Sequence, residues 1–411
     1  MIRDASSAAS AALDKHSVEL VSRRDVYLRL AALRDARPPL DSVQQRLLNK
    51  MCEDYERKGV ALEPAQAARL KEVNQRLAQL SVDFQSALNE ENEQLLFSDD
   101  ELAGLPADFI SNLATGADGK RIVTLKYTHL FPVLKMARKP ETRRRVEEAN
   151  SKKVPENVAR MHEALTLKLE AARLLGFESD AAYELSVLMA KTPANVNALL
   201  SDLNDRLTPL LEKERQQLLE LKSKTEGEPA DGKLYAHDWR YLQQRVLQAE
   251  HNVDEERIKQ YFPLEHVATQ MFDIFERLFH VKVAKVTPES PNYRVWHPDV
   301  EQFVVTDAES GAELGTMFQD LFPREGKYGH ACVMPLIPTY VDEANNNTRN
   351  PVVVVMLANF SKPTKDRPSL LDHDEVVTFF HEQGHAYHGL VSRARFARFS
   401  GTSVERDFVE A

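Results

Sequence analysis

The sequence predicts a mainly α-helical protein with a small β-sheet, antiparallel or mixed, beside one apolar helix near the end of the chain. Apolar residues recur at spacings of three and four through most of the first half, which is the period of an amphipathic helix. After Pro288, short β-branched runs separated by turn residues replace that period. Helical signals return at Asp372. Because 411 residues exceed what one compact core usually covers, we expect more than one domain.

The clearest helix of the first half begins near Pro64, where the missing N–H of proline removes no helical hydrogen bond. Its apolar face consists of Leu70, Val73, Leu77, Leu80, Phe84 and Leu88. Residues 114–119 contain two glycines and predict a loop. Helical patterns resume near Pro140, break at residues 174–176 and break again near Pro193. Residues 222–232 are the best linker candidate, because they combine Gly, Pro and charge without an apolar period.

Three strands are predicted in the last third of the chain. Residues 302–306 and 315–318 flank a turn at residues 309–311. Residues 352–357 are strongly β-branched and form the third strand. Between them, the asparagines at residues 345–347 predict the tip of a loop.

Composition argues against several classes of protein. The formal net charge is -10 and the basic residues are spread along the chain, whereas nucleic-acid binding needs clustered basic surface. No run approaches the ~20 apolar residues of a membrane span. Asp4, Asp14 and Glu19 interrupt the first twenty residues, which show no signal peptide. Two isolated cysteines, Cys52 and Cys332, predict inert thiols in a reducing compartment.

The helix that begins at Asp372 contains His381, Glu382 and His385 in the pattern H-E-x-x-H. Asp372 can cap its first turn, and Glu375 completes a capping box. Four helical residues advance ~6 Å and turn ~400°, so the two histidines share one side and can bind one zinc ion at ~2.0–2.1 Å. Glu382 lies too far round to bind the same ion and is placed to deprotonate a zinc-bound water. The pattern therefore indicates metal-assisted hydrolysis of an amide.

The alternative interpretation is an amphipathic helix with two solvated histidines. The residues that flank the motif are apolar: Val376, Val377, Phe379, Phe380, Leu390 and Val391. We expect such a helix to be buried, and buried histidines need partners. Gly384 in the middle of a helix costs ~1 kcal/mol relative to Ala, which predicts a close approach by another element. His388 lies ~10 Å along the axis from His381, so we do not expect it to bind the same ion.

A third zinc ligand must come from another segment. Glu405, Asp407 and Glu410 all lie in the next apolar-flanked stretch of the chain. Spacing alone does not choose among these three carboxylates.

Several segments of the chain resemble the thimet oligopeptidase family, which includes neurolysin and saccharolysin. These segments are residues 320–330, 358–364, 368–371, 373–376, 380–385, 396–402 and 407–411. Weaker similarity reaches back through residues 174–177 to Lys126 and Tyr127. The resemblance covers most of the chain and is most specific in the last third.

The resemblance implies that His381, His385 and Glu410 bind one zinc ion and that Glu382 is the general base. Glu405 and Asp407 then become supporting residues. The resemblance also implies two mostly helical walls around a deep channel, which admits short peptides and excludes folded proteins.

Residues of the family-like segment before the third strand receive structural interpretations. We expect Tyr328 and His330 to pack in a loop near the sheet. Arg324 and Lys327 are expected to be solvated or salt-bridged and not to anchor substrate.

Two features depart from the family pattern. Gln383 stands where relatives commonly carry Phe, but it points away from the metal side, so packing should change before chemistry does. The chain stops at Ala411, directly after the proposed third ligand, whereas the family continues into a region that stabilises the tetrahedral intermediate. The resemblance also leads us to expect that the N-terminus begins late relative to the family. We therefore expect a C-terminally truncated chain whose own activity is weak or absent.

Together these observations predict a zinc-dependent metalloendopeptidase that hydrolyses short peptides. We expect a helical N-terminal region over residues 1–130 and a zinc peptidase catalytic domain, incomplete at its C-terminus, over residues 131–411. The expected cofactor is one Zn2+, although cobalt or manganese could occupy the same ligands in vitro. The protein should be a cytoplasmic monomer, with mitochondria as the alternative compartment, that binds neither nucleic acid nor membrane.

Two other functions stay open on sequence grounds. One is a catalytically impaired fragment that acts as a non-catalytic peptide-binding protein. The other is a helical structural or interaction protein in which the motif is accidental.

Overall fold

The computed structural model describes residues 19–411 apart from 117, 227–231, 252–254, 325–326, 364–367 and 411, together with positions 5, 9, 12, 13 and 16. The chain divides into two compact units, residues 1–250 and residues 251–411. The domain boundary that the sequence predicts after residue 130 stays a prediction. Among the described residues, no helix combines the length and hydropathy that a transmembrane span requires.

The first unit is mainly helical, as the sequence predicts. The helices that begin in it are α1 (Arg24–Asp35), α2 (Ser42–Arg57), α3 (Pro64–Glu90), α4 (Ala107–Asn112), α5 (Tyr127–Met136), α6 (Pro140–Lys152), α7 (Glu156–Leu174), α8 (Asp180–Leu185), α9 (Pro193–Glu226) and α10 (Trp239–His251). Two short strands, β1 (Gln94–Phe97) and β2 (Arg121–Thr124), pair antiparallel. The predicted loop at residues 114–119 lies before β2, and its residue 117 lies outside the described residues.

Helix α3 confirms the apolar face that the sequence predicts. Pro64 is its first residue, and Leu70, Val73 and Leu80 are buried. The face packs against α7, while Arg69 on the flank of α3 pairs with a glutamate of α7. Apolar periodicity therefore placed both the helix and the surface that it buries.

The predicted linker at residues 222–232 is partly wrong. Helix α9 continues through Glu226, and residues 227–231 lie outside the described residues. Lys222, near the C-terminal end of this helix, donates a hydrogen bond to Asp238 at 2.9 Å, a tertiary contact that local sequence does not reveal. The polar composition of this segment therefore reflects a buried ion pair as well as exposure.

The second unit contains a mixed five-stranded sheet and two long helices. Its strands are β3 (Val281–Val286), β4 (Val300–Asp307), β5 (Glu313–Asp320), β6 (Cys332–Ile337), β7 (Val341–Asp342), β8 (Thr348–Arg349) and β9 (Val352–Leu357). Its helices are α11 (Glu255–Lys259), α12 (Leu264–Phe279), α13 (His373–Leu390) and α14 (Arg406–Val409), with a 3-10 turn at Ala397–Phe399.

The large sheet has the strand order β3-β4-β5-β9-β6. Strands β5 and β9 are parallel, and every other neighbouring pair is antiparallel. The small pair β7–β8 is a separate antiparallel ribbon, with the predicted asparagine tip between its strands. The mainly helical class and the mixed sheet beside one apolar helix are thus confirmed.

The three predicted strands lie within β4, β5 and β9, whereas β3 and β6 were not predicted from the sequence. Strand β3 follows α12 almost directly, and its alternating valines Val281 and Val283 lie before the region where strands were expected. Strand β6 contains Pro335, which interrupts a strand pattern. Its position at the edge of the sheet explains why the proline is tolerated, since an edge strand has one unpaired side.

One hydrophobic core joins the sheet to both long helices. Helix α12 packs on β3, and α13 packs on β5, β6 and β9. Met271 of α12, Met317 of β5 and Phe379 of α13 are all fully buried in this core. The helix that carries the histidine motif is therefore held against the centre of the sheet.

Candidate metal centre

Helix α13 begins where the sequence predicts, and its first turn is locked by side chains. The Asp372 carboxylate accepts a hydrogen bond from the Glu375 N–H at 2.8 Å, and the Glu375 carboxylate accepts one from the Asp372 N–H at 2.9 Å. This reciprocal capping box satisfies two N–H groups that the first helical turn would leave unpaired. The start of the helix, and hence the phase of the motif along it, is well defined.

The rotation of α13 about its axis is set by the apolar face that it presents to the core. Phe379, Ala386 and Leu390 are buried, and the ring of Tyr387 stacks on Phe275 at 4.5 Å. If the helix rotated about its axis, these apolar side chains would leave the core. The packing therefore also determines the direction in which the opposite face of the helix points.

Gln383, which the sequence predicts to point away from the metal side, lies against the sheet. Its amide nitrogen contacts the sulfur of Met317 at 3.2 Å, and its carbonyl oxygen accepts a hydrogen bond from the Gln319 amide at 3.1 Å. All three side chains are buried. A polar residue here is accommodated because β5 supplies partners for it.

The two histidines and Glu410 converge at one point. The Nε2 atoms of His381 and His385 lie 3.0 Å apart, and each lies 3.4 Å from Oε2 of Glu410. His385 is 14% exposed, whereas His381 and Glu410 are 48% and 49% exposed. Among the described residues, these three form the one group of at least three His, Cys, Asp or Glu side chains able to hold a metal ion.

The spacing of these atoms fits a tetrahedral zinc ion. Ligand bonds of 2.0–2.2 Å place neighbouring ligand atoms about 3.3–3.6 Å apart; both distances from Glu410 fall in that range, and the two nitrogens, 3.0 Å apart, lie slightly closer. Two imidazole nitrogens and one carboxylate oxygen are a donor set that zinc accepts, and three protein ligands leave a fourth position open. The residues present therefore fit a catalytic type of zinc site.

Glu410 is brought to the histidines by a segment that doubles back along the end of α13. The Gly401 N–H donates to Ser392 Oγ at 3.1 Å, and the Thr339 N–H donates to Ser400 Oγ at 3.0 Å. Helix α14 then carries the chain to Glu410. Neither Glu405 nor Asp407, the two carboxylates that spacing could not exclude, belongs to the metal-binding group.

Glu382 lies outside the ligand group and has a different environment. Its side chain is on the buried part of the helix, where the residue is 8% exposed. Burial raises the pKa of its carboxyl group above the ordinary value, and the neighbouring His385 and His381 oppose that shift. A partly desolvated carboxylate beside the ligand atoms is better able to hold a proton than a solvated one.

Two other titratable side chains are Cys332, on the neighbouring strand β6, and His388, near the end of α13 itself. Burial and the nearby charge of Glu382 both raise the pKa of the Cys332 thiol. Burial lowers the pKa of His388, which lies outside the metal-binding group, as predicted from its distance along the axis.

The charged residues of the family-like segment before β6 have structural partners. Arg324 donates two hydrogen bonds to Asp320, at 2.6 and 2.7 Å, and the Lys327 ammonium lies 3.0 Å from the same carboxylate. The sequence predicts that these two residues are solvated or salt-bridged, and both are salt-bridged. The rings of Tyr328 and His330 lie 5.5 Å apart. Glu325 and Gly326, which belong to the same segment, lie outside the described residues.

The expected close approach at Gly384 is wrong. A Cβ atom placed on Gly384 would meet no other atom within 4 Å. The close approach occurs one turn later, where Gly401 lies against the backbone of Gly389. This contact could not be predicted from the sequence, because no local pattern pairs residue 389 with residue 401.

Comparison with known proteins places this geometry in context. The model of peptidase family M3 matches residues 133–411. Saccharolysin of Saccharomyces cerevisiae is 38% identical over 100% of this chain and 60% of its own length. The thimet-like oligopeptidase of Dictyostelium discoideum is 36% identical, again over 100% of this chain and 62% of its own. Oligopeptidase A of Escherichia coli is 28% identical over 97% of this chain and 60% of its own. The chain thus spans about three fifths of the length of these curated relatives.

Proposed function

The chain belongs to peptidase family M3, and we propose from that premise that it is a zinc-dependent metalloendopeptidase that hydrolyses short peptides. The observation that carries the proposal is the convergence of His381, His385 and Glu410 within 3.4 Å of one another beside Glu382. The family model covers all four of these residues. The similarity to saccharolysin and to the thimet-like oligopeptidase supports peptides as the substrate class.

In this proposal, His381, His385 and Glu410 hold one zinc ion through two Nε2 atoms and one carboxylate oxygen. The neutral imidazoles and the carboxylate would leave a site with one net positive charge. When bound, zinc supplies a Lewis acid that polarises a carbonyl group and lowers the pKa of water. The remaining steps belong to the protein side chains.

Glu382 is the proposed general base. Its carboxylate accepts the proton of the attacking water, and the resulting carboxylic acid donates that proton to the leaving amine. Burial of Glu382 favours this exchange, because a raised pKa brings the carboxyl group closer to the range in which it can hold a proton during the reaction. One side chain can therefore perform both proton transfers.

Strand β6 is the proposed contact for the peptide backbone. It forms one edge of the described sheet and packs beside α13. Met334, Leu336 and Ile337 of this strand are exposed. An extended peptide can add to such an edge through main-chain hydrogen bonds and place side chains against exposed apolar residues.

The channel between two helical walls, which the family resemblance implies, remains part of this proposal and accounts for a preference for short peptides. We also propose a cytoplasmic monomer, with mitochondria as the alternative compartment.

Metal content and peptide hydrolysis test the proposal directly. The parent chain, dialysed against zinc, should retain about one ion by plasma mass spectrometry, because three ligands already converge. Glu410→Ala should lose most of it, whereas Glu405→Ala, a matched change in the same segment, should not. Glu382→Gln should keep zinc and lower any cleavage of a quenched fluorescent peptide by roughly 10²–10⁴-fold.

Two results would contradict the proposal. A parent chain that retains no zinc would exclude the metal site. Peptide cleavage that persists unchanged in Glu382→Gln would exclude Glu382 as the base.

A further inference from the structure

Gly401, in the chain after α13, lies against the backbone at the end of that helix. Gly401 has a φ of +49°, in the left-handed region that favours glycine. A Cβ atom at this position would lie 2.7 Å from the Cα and 3.1 Å from the N of Gly389, and 3.2 Å from the carbonyl oxygen of His388. Because these three atoms are helical backbone, no side-chain rotation could relieve the contact.

Gly389 faces the sheet on its own Cβ side. A Cβ there would lie 3.3 Å from Val354 of β9, so the bare backbone of Gly389 allows α13 to sit close to the sheet. Helix and loop can approach as closely as they do because residue 401 lacks a side chain.

This contact lies between the proposed zinc ligands along the chain. Gly389 follows His385 by one helical turn, ~6 Å along the axis. From Gly401 the backbone continues through a hydrogen bond from the Ser403 N–H to the Ser400 carbonyl and then through α14, where the Glu410 N–H donates to the Arg406 carbonyl at 3.1 Å. The distance between loop and helix at Gly401 is therefore transmitted over a short, hydrogen-bonded segment to Glu410.

We propose that Gly401 is a positioning residue of the metal site, which sets the separation between the helix that carries the two histidines and the segment that carries Glu410. The inference rests on the proposed zinc function. A side chain at residue 401 pushes the segment away from α13, so Glu410 withdraws from the two imidazoles while their own spacing on the helix is unchanged.

The first test compares Gly401→Ala with Gly311→Ala. Gly311 has a φ of +69°, and a Cβ atom added there would meet nothing within 4 Å, so its substitution imposes the same left-handed strain without a clash. Zinc affinity is measured by competition with a chromophoric chelator. Gly401→Ala should bind zinc roughly 10–100-fold more weakly, the usual cost of disturbing a residue that orients a metal ligand. Gly311→Ala should match the parent.

A double-mutant cycle separates positioning from unfolding. In Glu410→Ala, the two histidines keep a residual zinc affinity, which is measured by titration into the millimolar range. If Gly401 acts through Glu410, adding Gly401→Ala to this variant causes no further loss of that affinity. Equal losses in both backgrounds would overturn the inference, as would parent-like affinity of Gly401→Ala.

Failure of the proposed function has a different signature. It appears as absence of zinc in the parent or as parent-like zinc binding by Glu410→Ala, and either result overturns the inference together with the zinc site. Zinc lost in Glu410→Ala but kept in Gly401→Ala overturns the positioning role alone.

Discussion

Residues 1–250 and residues 251–411 each bury an aspartate among cations, and the two carboxylates are held in different ways. Asp238 lies 3.3 Å from the guanidinium of Arg143 and 2.9 Å from the ammonium of Lys222. These partners are separated from it by 95 and 16 residues, on α6 and α9. Asp320 is instead paired with Arg324 and Lys327, four and seven residues further along the chain.

The different sequence separations of the partners show which parts of the structure each ion-pair network connects. Arg143 is fully buried and also donates to the carbonyl oxygens of Ala137, Arg138 and His237, so the Asp238 network joins separate helices of its unit. The Asp320 network has both of its cations in the loop that follows β5, and the Trp296 indole N–H, 24 residues earlier, donates to the same carboxylate at 3.1 Å. Because Arg324 is partly exposed whereas Arg143 is fully buried, loss of the Asp320 carboxylate should cost less stability.

The pKa is lowered in both carboxylates, Asp238 and Asp320. Burial by itself would raise the pKa of each aspartate, but hydrogen bonds from Lys222 to Asp238 and from Arg324 and Lys327 to Asp320 outweigh it, so both pKa values are lowered. Because the folded pKa lies below the unfolded one, each network stabilises the fold above about pH 4 and loses that contribution as the pH falls through the folded pKa.

The candidate metal site contrasts with both networks. Two of its three candidate ligands are half-exposed. Buried charges that are paired with opposite charges indicate a structural role. Accessible ligand atoms that converge on one point indicate a site that can bind a metal ion.

Asp238→Asn should produce the largest loss of stability. It leaves the buried cation of Arg143 without its carboxylate, which typically costs about 3–5 kcal/mol in unfolding free energy. Trp239 and Trp296 lie one in each unit, so urea unfolding followed by fluorescence in a Trp296→Phe background reports the first unit. A loss below about 1 kcal/mol would show that the helices of this unit do not depend on the network.

Asp320→Asn should have a smaller effect, about 1.5–3 kcal/mol, the range for hydrogen bonds to charged groups. Lys327 keeps the carbonyl oxygens of Phe322 and Ala358 as partners, and the Arg324 side chain can reach solvent. The urea transition followed by Trp296 fluorescence in a Trp239→Phe background measures the change, with a separate folded baseline for each variant because the Trp296 indole N–H donates to Asp320. A loss equal to that of Asp238→Asn would show that burial of the cation does not set the cost.

Breaking the pair between Arg76 of α3 and Glu163 of α7 should have the smallest effect. Nε of Arg76 and Oε1 of Glu163 lie 2.6 Å apart, but both side chains are exposed, so water and salt screen their attraction. Arg76→Ala and Glu163→Ala, alone and combined, should leave the urea midpoint of the first unit unchanged within error. A clear non-additive loss in this cycle would mean that surface pairs contribute as much as buried ones here.

The helices and the motif could be predicted because their signals are local. The apolar period of α3, the proline at its start and the capping box of α13 each involve residues within one or two turns of each other. The same is true of His381 and His385, whose shared side follows from helix geometry. Strand β6 and the helical end of α9 were missed, because their neighbours come from distant parts of the chain.

By itself, the sequence determined the mainly helical class, the strands β4, β5 and β9, and two converging histidines with an acid beside them. Only the tertiary structure brought Glu410 within 3.4 Å of those histidines while leaving Glu405 and Asp407 outside the group. It also moved the expected close approach from Gly384 to the contact between Gly389 and Gly401. The physical reason is that helical periodicity depends on residues close together in the sequence. A contact between two distant segments depends instead on how each segment packs against a common core.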